Sequence, residues 1–329
     1  MDKTQPLIEH PAAWTVDTLA CDTCWIVRLD AEDIAEIDQA LACAKSRNAG
    51  VPDLSAEDFP LQNLATKLRA VVQELAKGLG IVLLKGLPMQ RYSKGDAGLI
   101  FWGLGRHMGS AIAQNAYGDV LGHVFDLGKD PRIDTSARGY QSTLKLPFHS
   151  DAADVVGLMC LRTAKQGGAS SVVSSLAVYN AMAAQRPDLL QRLHEDFYFD
   201  ARKEQAEGEA PYYLTPIYQR LNGQVYCRYV RRFIDSAQRF EEVPQLDAQQ
   251  LEALALFESL QTDARLRYDM ELEEGDMQFL NNYVTLHSRT AYEDHVAIDR
   301  KRHLLRLWLN VAEQGSVPAS YERRARFSE

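Results

Sequence analysis

A histidine and an aspartate two residues apart, His149 and Asp151, stand in the stretch PFHSDAADVVGLMC. They offer an imidazole and a carboxylate, donor types that hold divalent transition metals. With 8 histidines and 45 acidic residues among 329, about one such pair is expected by chance. A second does occur, His194 with Asp196. Its surroundings, PDLLQRLHEDF, space Leu189, Leu190, Leu193 and Phe197 as a helix does, and in a helix residues i and i+2 point about 200° apart. His149 and Asp151 instead precede VVGLMCL, a β-branched and apolar run, and in extended chain such residues share a side. The first pair can grip one ion; the second cannot easily do so.

A third ligand must come from elsewhere. In GDMQFLNNYVTLHSR, Gly275-Asp276 predicts a turn, an apolar strand follows, and His287 ends it beside polar residues, where the mouth of a metal site would lie. His123, in YGDVLGHVFDLG, competes for the same role from a weaker strand context, and a lone histidine is more often a satisfied structural residue. Two histidines and one carboxylate on one face leave adjacent positions open on Fe(II) for a chelating cosubstrate and oxygen. A closed structural zinc site would want a fourth protein ligand.

Arg302, fifteen residues beyond His287, stands in RKRHLLRLWLN. As a strand, it places Arg302, Leu304, Arg306 and Trp308 on one face and His303, Leu305, Leu307 and Leu309 on the other. Both faces are largely apolar, so the strand should be buried, and a buried guanidinium without a partner costs several kcal/mol. No acid lies on the strand itself. The partner is then either a ligand carboxylate, which arginine engages bidentately, or an acid from a distant strand such as Asp276 or Glu273.

The elements that must position these residues follow from periodicity. AEDIAEIDQALACAK puts Ile34, Ile37, Leu41 and Ala44 on one helical face, and LQNLATKLRAVVQELAKGLG does the same with Leu61, Leu64, Leu68, Val72 and Leu75. IVLLKG over 81–86 predicts a short buried strand, and SKGDAGLIFWGLGRHMG a further helix. From about residue 140 strands take over, with Asn222-Gly223 in YQRLNGQVYCRYV marking a hairpin. Helices interrupt at 176–196 and 246–262, and strands return in MQFLNNYVTLH and HLLRLWLNV. With no repeat, low-complexity tract or linker, the chain reads as one α+β domain over 1–329, helical at its N-terminal end to about residue 80, with a β-rich core and helices outside. Net charge of -9 and pI near 5.5 argue against a nucleic-acid partner, whose phosphates demand a basic face. The absence of a long apolar run and of a signal-like N-terminus argues against a membrane and for the cytoplasm. Five scattered cysteines suit a reduced compartment; Cys21 and Cys24 form a CxxC with no second pair at zinc-ribbon spacing.

PFHSD, QGGASS, GDMQFLNNYVTLHSR and RKRHLLRLWL, in that order and spacing, resemble the taurine dioxygenase-like (TauD/TfdA) family of Fe(II)- and 2-oxoglutarate-dependent dioxygenases over roughly residues 80 to 312. The resemblance implies a double-stranded β-helix, the jelly-roll core of clavaminate synthase-like proteins. It implies His149, Asp151 and His287 as iron ligands, Arg302 on the distal carboxylate of 2-oxoglutarate, and Ser170 where the family often has an assisting threonine. Arg306 falls where several members grip an anionic group of the substrate. Gln114 and Asn115 lie where a substrate-lining loop is expected, and would serve equally as turn residues. The implied reaction consumes 2-oxoglutarate and O2 and by default hydroxylates an unactivated C–H bond, here of a small carboxylate-bearing metabolite such as an amino acid. Asp151 argues against halogenation, since halogenating relatives lack this carboxylate. The competing readings are a non-catalytic jelly-roll that binds a small anion or metal, and a zinc hydrolase, which the two arginines disfavour. A homo-oligomer is compatible with all of them.

Overall fold

The computed structural model describes residues 6–115, 117–129 and 139–322. Helix α1 (Val16–Cys21) and strand β1 (Ile26–Arg28) lead into α2 (Ala31–Ser46) and α3 (Asn63–Lys77). Asp30 caps α2 by accepting from the backbone N–H groups of Glu32 and Asp33, and Asp33 accepts in return from the Asp30 N–H. Buried Ile34, Ile37 and Leu41 of α2, and Leu64, Leu68, Val72 and Leu75 of α3, are the residues whose spacing predicted these helices. The N-terminal region is not wholly helical, because β1 pairs in parallel with β2 (Ile81–Lys85). Three residues are too few for a period-2 signal, so β1 left no trace in the sequence pattern.

After α4 (Lys94–Arg106) come β3 (Ser110–Ala111), β4 (Leu121–Val124), β5 (Leu146–His149), β6 (Val155–Arg162), β7 (Gln166–Gly167) and β8 (Ser170–Ser174). Helices α5 (Ser175–Gln185) and α6 (Pro187–Leu193) are followed by β9 (Asp196–Asp200), β10 (Tyr212–Pro216), β11 (Tyr218–Leu221) and β12 (Gln224–Cys227). Asn222 and Gly223, at φ 51° and 81°, join β11 to β12 in the left-handed conformation a two-residue hairpin requires. The helix expected through Phe197 stops at Leu193, and Phe197 lies on β9. Then come α7 (Arg231–Ala237), α8 (Ala248–Gln261), β13 (Arg267–Met270), β14 (Met277–Asn281), β15 (Thr285–Arg289), β16 (Tyr292–Glu293), β17 (His303–Asn310) and α9 (Ala319–Glu322).

MQFLNNYVTLH is two strands rather than one. The Asn281 side chain accepts from the Tyr283 backbone N–H, turning the chain after β14 and carrying it into a different sheet. His287 therefore sits within β15 and not at a strand end.

The larger sheet runs β1-β2-β14-β6-β17-β3, with β4 also on β17; the smaller runs β13-β8-β15-β5. Alternation sorts the side chains into layers. Val82, Leu84, Val155, Met159, Phe279, Leu305, Leu307 and Leu309 leave the larger sheet toward α2, α3 and α4. Ile81, Leu83, Val156, Leu280 and Trp308 leave its other face and meet Val172 of the smaller sheet. Phe148, Val173 and Leu286 pack outward from the smaller sheet against α5, α6 and α8. Two facing sheets between helical layers make the jelly-roll core, and the space between the sheets is where Arg306 of β17 points.

Within α4, Gly98 and Gly103 are both buried, but a Cβ at Gly103 would lie 2.4 Å from Cγ of the fully buried Phe59 ring, whereas one at Gly98 would meet nothing closer than Leu121 at 3.7 Å. Gly103→Ala should therefore lower stability by about 1–3 kcal/mol through overpacking, and Gly98→Ala should be neutral or raise it by up to roughly 1 kcal/mol through helix propensity. Chemical denaturation of both variants checks the contrast; equal effects would mean that the Phe59 contact does not decide the outcome.

Candidate active site

The smaller sheet brings the two histidines together. β15 lies antiparallel between β5 and β8, with His287 opposite His149 on one side and Val172 on the other. Their ring centroids are 4.3 Å apart. Asp151 follows β5 and reaches both: Oδ1 lies 3.9 Å from His149 Nε2, and Oδ2 lies 3.8 Å from His287 Nε2. One ligand atom from each of the three falls within 4.8 Å of the others, the one such group among the described residues.

Each donor is held from behind. The Asp151 backbone N–H donates to Asn282 Oδ1 at 2.9 Å, and Asn282 Nδ2 donates to the Ala153 carbonyl at 3.0 Å, so the turn between the two sheets fixes the loop that carries Asp151. Trp308 Nε1 donates to Asp151 Oδ2 at 3.0 Å. His149 Nδ1 stands 2.9 Å from the Pro147 carbonyl, which can only accept, so this nitrogen carries the proton and Nε2 presents its lone pair. Burial, followed by the neighbouring His149, pulls the His287 pKa down to about 3, and burial lowers that of His149 as well. For Asp151, burial pushes upward, but Arg306, His287, His149 and the Trp308 indole together outweigh it and lower the pKa. Two neutral imidazoles and one ionised carboxylate fit a divalent transition ion and leave part of its coordination open.

Two spaces meet at these residues. The inner chamber is lined by His149, Asp151, His287, Ser170, Arg302 and Arg306 among others. Arg302 is 6% exposed, donates through Nη2 to the Gly168 carbonyl at 3.3 Å, and leaves Nη1 buried without a partner. Gly168, at φ 79°, permits this approach, since a Cβ there would lie 2.9 Å from Arg302 Nε. Ser170 Oγ donates to Gln278 Oε1 at 2.9 Å. The acids that might have paired with Arg302 or Arg306 are engaged elsewhere: Asp276 and Glu273 hold Lys85 at 2.6 and 3.0 Å. A chamber with an open buried guanidinium and, among the described residues, no acid that meets it suits a ligand carboxylate.

The outer cavity, about 690 Å³, is lined by Lys145, Arg202, Arg228, Arg231 and Arg306 among others, with Arg231 ion-paired to Asp235 and Glu258 of the same lining. Arg306 stands between the two spaces, with Nη1 3.7 Å from Asp151 Oδ2 and its guanidinium 4.9 Å from the ring centroids of both Tyr140 and Trp308. Gln114 accepts from Arg306 Nε at 2.7 Å and donates to the carbonyls of Arg306 and Val120. Its amide thus orients Arg306 from the edge of the cavity. Asn115, also on that edge, accepts from the N–H groups of Tyr117 and Asp119 as a turn residue does.

His123 is not near the triad's ligand set; its Nδ1 meets His303 Nε2 at 2.9 Å on the far side of the β4–β17 pair. His194 packs against Tyr179 and Tyr218. Cys21 and Cys24 are free, and a hydrogen bond with Asp22 pushes the Cys24 thiol up to about 11, away from nucleophilic use. Asn282, Arg228 and Arg289 were not foreseen as part of the site. Arg228 could not have been, because its Nη1 reaches the Asp151 carbonyl, 3.2 Å away, from a hairpin distant in sequence. Arg289 could: it follows His287 by two, so the same strand rule that linked Arg302 to Arg306 applied to it.

Comparison with known proteins agrees with this geometry. Residues 46–308 match the family described as taurine catabolism dioxygenase TauD, TfdA family. The chain is 36% identical over 299 residues to FR-33289 synthase of Streptomyces rubellomurinus, covering 90% of this chain and 88% of that protein. It is 30% identical over 304 residues to the taurine hydroxylase-like protein SAT17 of Stachybotrys chartarum, covering 90% and 77%. Asparagine oxygenase, solved with Fe(II), 2S,3S-3-hydroxyasparagine and succinate, superposes with a TM-score of 0.65 at 17% identity over 87% of this chain and 93% of that one. The non-heme iron oxygenase OrfP, solved with Fe and alpha-ketoglutaric acid, gives 0.59 at 17% identity over 87% and 94%. The chain belongs to the TauD/TfdA family and is an Fe(II)- and 2-oxoglutarate-dependent dioxygenase.

Proposed function

We propose that the chain, as one dioxygenase domain, hydroxylates an unactivated C–H bond of a small anionic metabolite such as an amino acid, in the cytoplasm. The observation that carries this reading is the pair of cation-bearing spaces meeting at one His-Asp-His set. His149, Asp151 and His287 would hold the iron, Arg302 with Ser170 the distal carboxylate of 2-oxoglutarate, and Arg306 an anionic group of the substrate. When bound, iron with 2-oxoglutarate and O2 supplies the oxidising power, with succinate and carbon dioxide as coproducts. The protein's part is positional. Pro147 and Trp308 aim His149 and Asp151, Gln114 aims Arg306, and Val124, Leu158, Leu272 and Leu304 give the inner chamber apolar walls. Asparagine oxygenase, crystallised with a hydroxylated amino acid, supports an amino-acid-sized substrate, and five cysteines free of disulfides support a reducing compartment. No helix among the described residues is long and apolar enough to cross a membrane.

His149→Ala, Asp151→Ala and His287→Ala are each expected to abolish 2-oxoglutarate-dependent succinate formation and weaken iron binding with the fold retained, while His194→Ala does neither. Metal analysis, circular dichroism and succinate assays check this, and near-normal succinate from His287→Ala would remove it from the ligand set.

The two arginines should separate. Arg302→Ala is expected to raise the 2-oxoglutarate concentration required by about 30-fold or more and to affect the substrate less. Arg306→Ala should weaken an anionic substrate by a comparable factor and spare 2-oxoglutarate. Anaerobic titrations that follow the visible Fe(II)–2-oxoglutarate charge-transfer band and its shift on substrate binding measure both, with candidates drawn from a metabolite library. Equal loss of 2-oxoglutarate in the two variants, with substrate affinity unchanged, would leave the anionic substrate without support.

A further inference from the structure

Arg289 stands two residues beyond His287 on β15 and lines the inner chamber with Arg302. It is as buried as Arg302, at 6% exposure. Only its Nη2 is used, donating to the Ser142 carbonyl at 2.7 Å and to the Leu144 carbonyl. Among the described residues its Nε and Nη1 are buried without partners, as are Nη1 of Arg302 and the hydroxyl of Tyr292. Both guanidinium groups lie against the Tyr292 ring, 4.8 Å and 5.2 Å from its centroid. Nearby acids do not meet them side chain to side chain: Asp126 holds Lys301 at 3.2 Å, and one oxygen of Asp294 accepts from the Arg302 backbone N–H. Two buried like charges with open N–H groups in one chamber are costly unless an anion joins them.

The carbonyls that Arg289 holds belong to the segment 139–145, which also walls the outer cavity through Gly139, Tyr140, Ser142, Leu144 and Lys145. Tyr140 in turn carries the Arg306 guanidinium. We propose that Arg289 is a second anchor for the distal carboxylate of 2-oxoglutarate, and that the same guanidinium, held in place by that carboxylate, stiffens the 139–145 wall of the substrate cavity. This rests on the inner chamber being the cosubstrate site. Charge-assisted hydrogen bonds from Nε or Nη1 would do the first, and the bonds from Nη2 already do the second.

The test compares 2-oxoglutarate with 2-oxopentanoate, which keeps the keto-acid end and the chain length but lacks the distal carboxylate. Each is titrated calorimetrically into Co(II)-loaded wild type, Arg289→Gln and Arg289→Lys, and backbone hydrogen exchange of 139–145 is followed in the wild type with each ligand. Arg289→Gln should weaken 2-oxoglutarate about 10-fold or more and 2-oxopentanoate by less than about 2-fold, with Arg289→Lys between. In the wild type, 2-oxoglutarate should slow exchange across 139–145 and 2-oxopentanoate should not. Equal weakening of both ligands, or equal protection by both, makes Arg289 a structural clamp only and overturns the proposal; the wild-type exchange decides alone if the variants do not fold. A wild type that binds 2-oxoglutarate no tighter than 2-oxopentanoate instead overturns the cosubstrate chamber itself.

Discussion

His287 meets His149 because β15 runs antiparallel between β5 and β8 in a single register, and nearly everything at the site depends on that register. A slip of one residue would turn His287 toward the outer helices and bring Leu286 between the sheets. Leu286 prevents this, being fully buried with Val173 and Phe148 against α5, α6 and α8. The same strand thus has its apolar face packed by helices and its polar face aimed at the metal ligands, so core packing and ligand geometry are one constraint.

The second constraint is electrostatic. The space between the sheets holds Arg289, Arg302 and Arg306, while the one acid among the described residues that lines it is Asp151, itself shared among Arg306, two imidazoles and the Trp308 indole. Burial lowers the pKa of Arg302 and takes that of Arg289 to about 10, the direction expected of cations removed from water without partners. Such an interior favours anionic ligands that can partner its charges, and ligand binding to the folded state then adds to stability. The net charge of -9 says nothing of this, because the sequence-wide balance averages over a surface that the interior does not resemble.

Legibility followed signal length. The amphipathic helices α2, α3 and α4, the Asn222-Gly223 hairpin and the two-faced strand β17 were all readable, since each carries several periods of its pattern or a specific turn pair. His149 and Asp151 were readable as a pair from the extended chain around them. His287 was favoured over His123 by its stronger strand context and then by the resemblance, and the β5–β15 pairing brings it to His149. The strand β1 was too short to register, α7 was hidden among arginines after the hairpin, and the two Asn residues inside MQFLNNYVTLH were outweighed by the apolar run on either side. Asn282 shows why the rest was out of reach: its amide matters because it touches residues 131 and 129 positions away, Asp151 and Ala153.

The outer cavity differs in construction from the chamber behind it. His287, Ser170 and Arg306 stand on paired sheet strands, and His149 and Arg302 at or beside the ends of such strands, whereas much of the cavity's lining comes from the segment 139–145 and from Val230 to Phe233 around the start of α7. Loops and short helices tolerate replacement better than hydrogen-bonded ladders do. Mutational drift is therefore free to recut what the protein accepts while leaving how it reacts untouched, and an engineer seeking a new substrate has a defined stretch of wall to rebuild without disturbing the sheets.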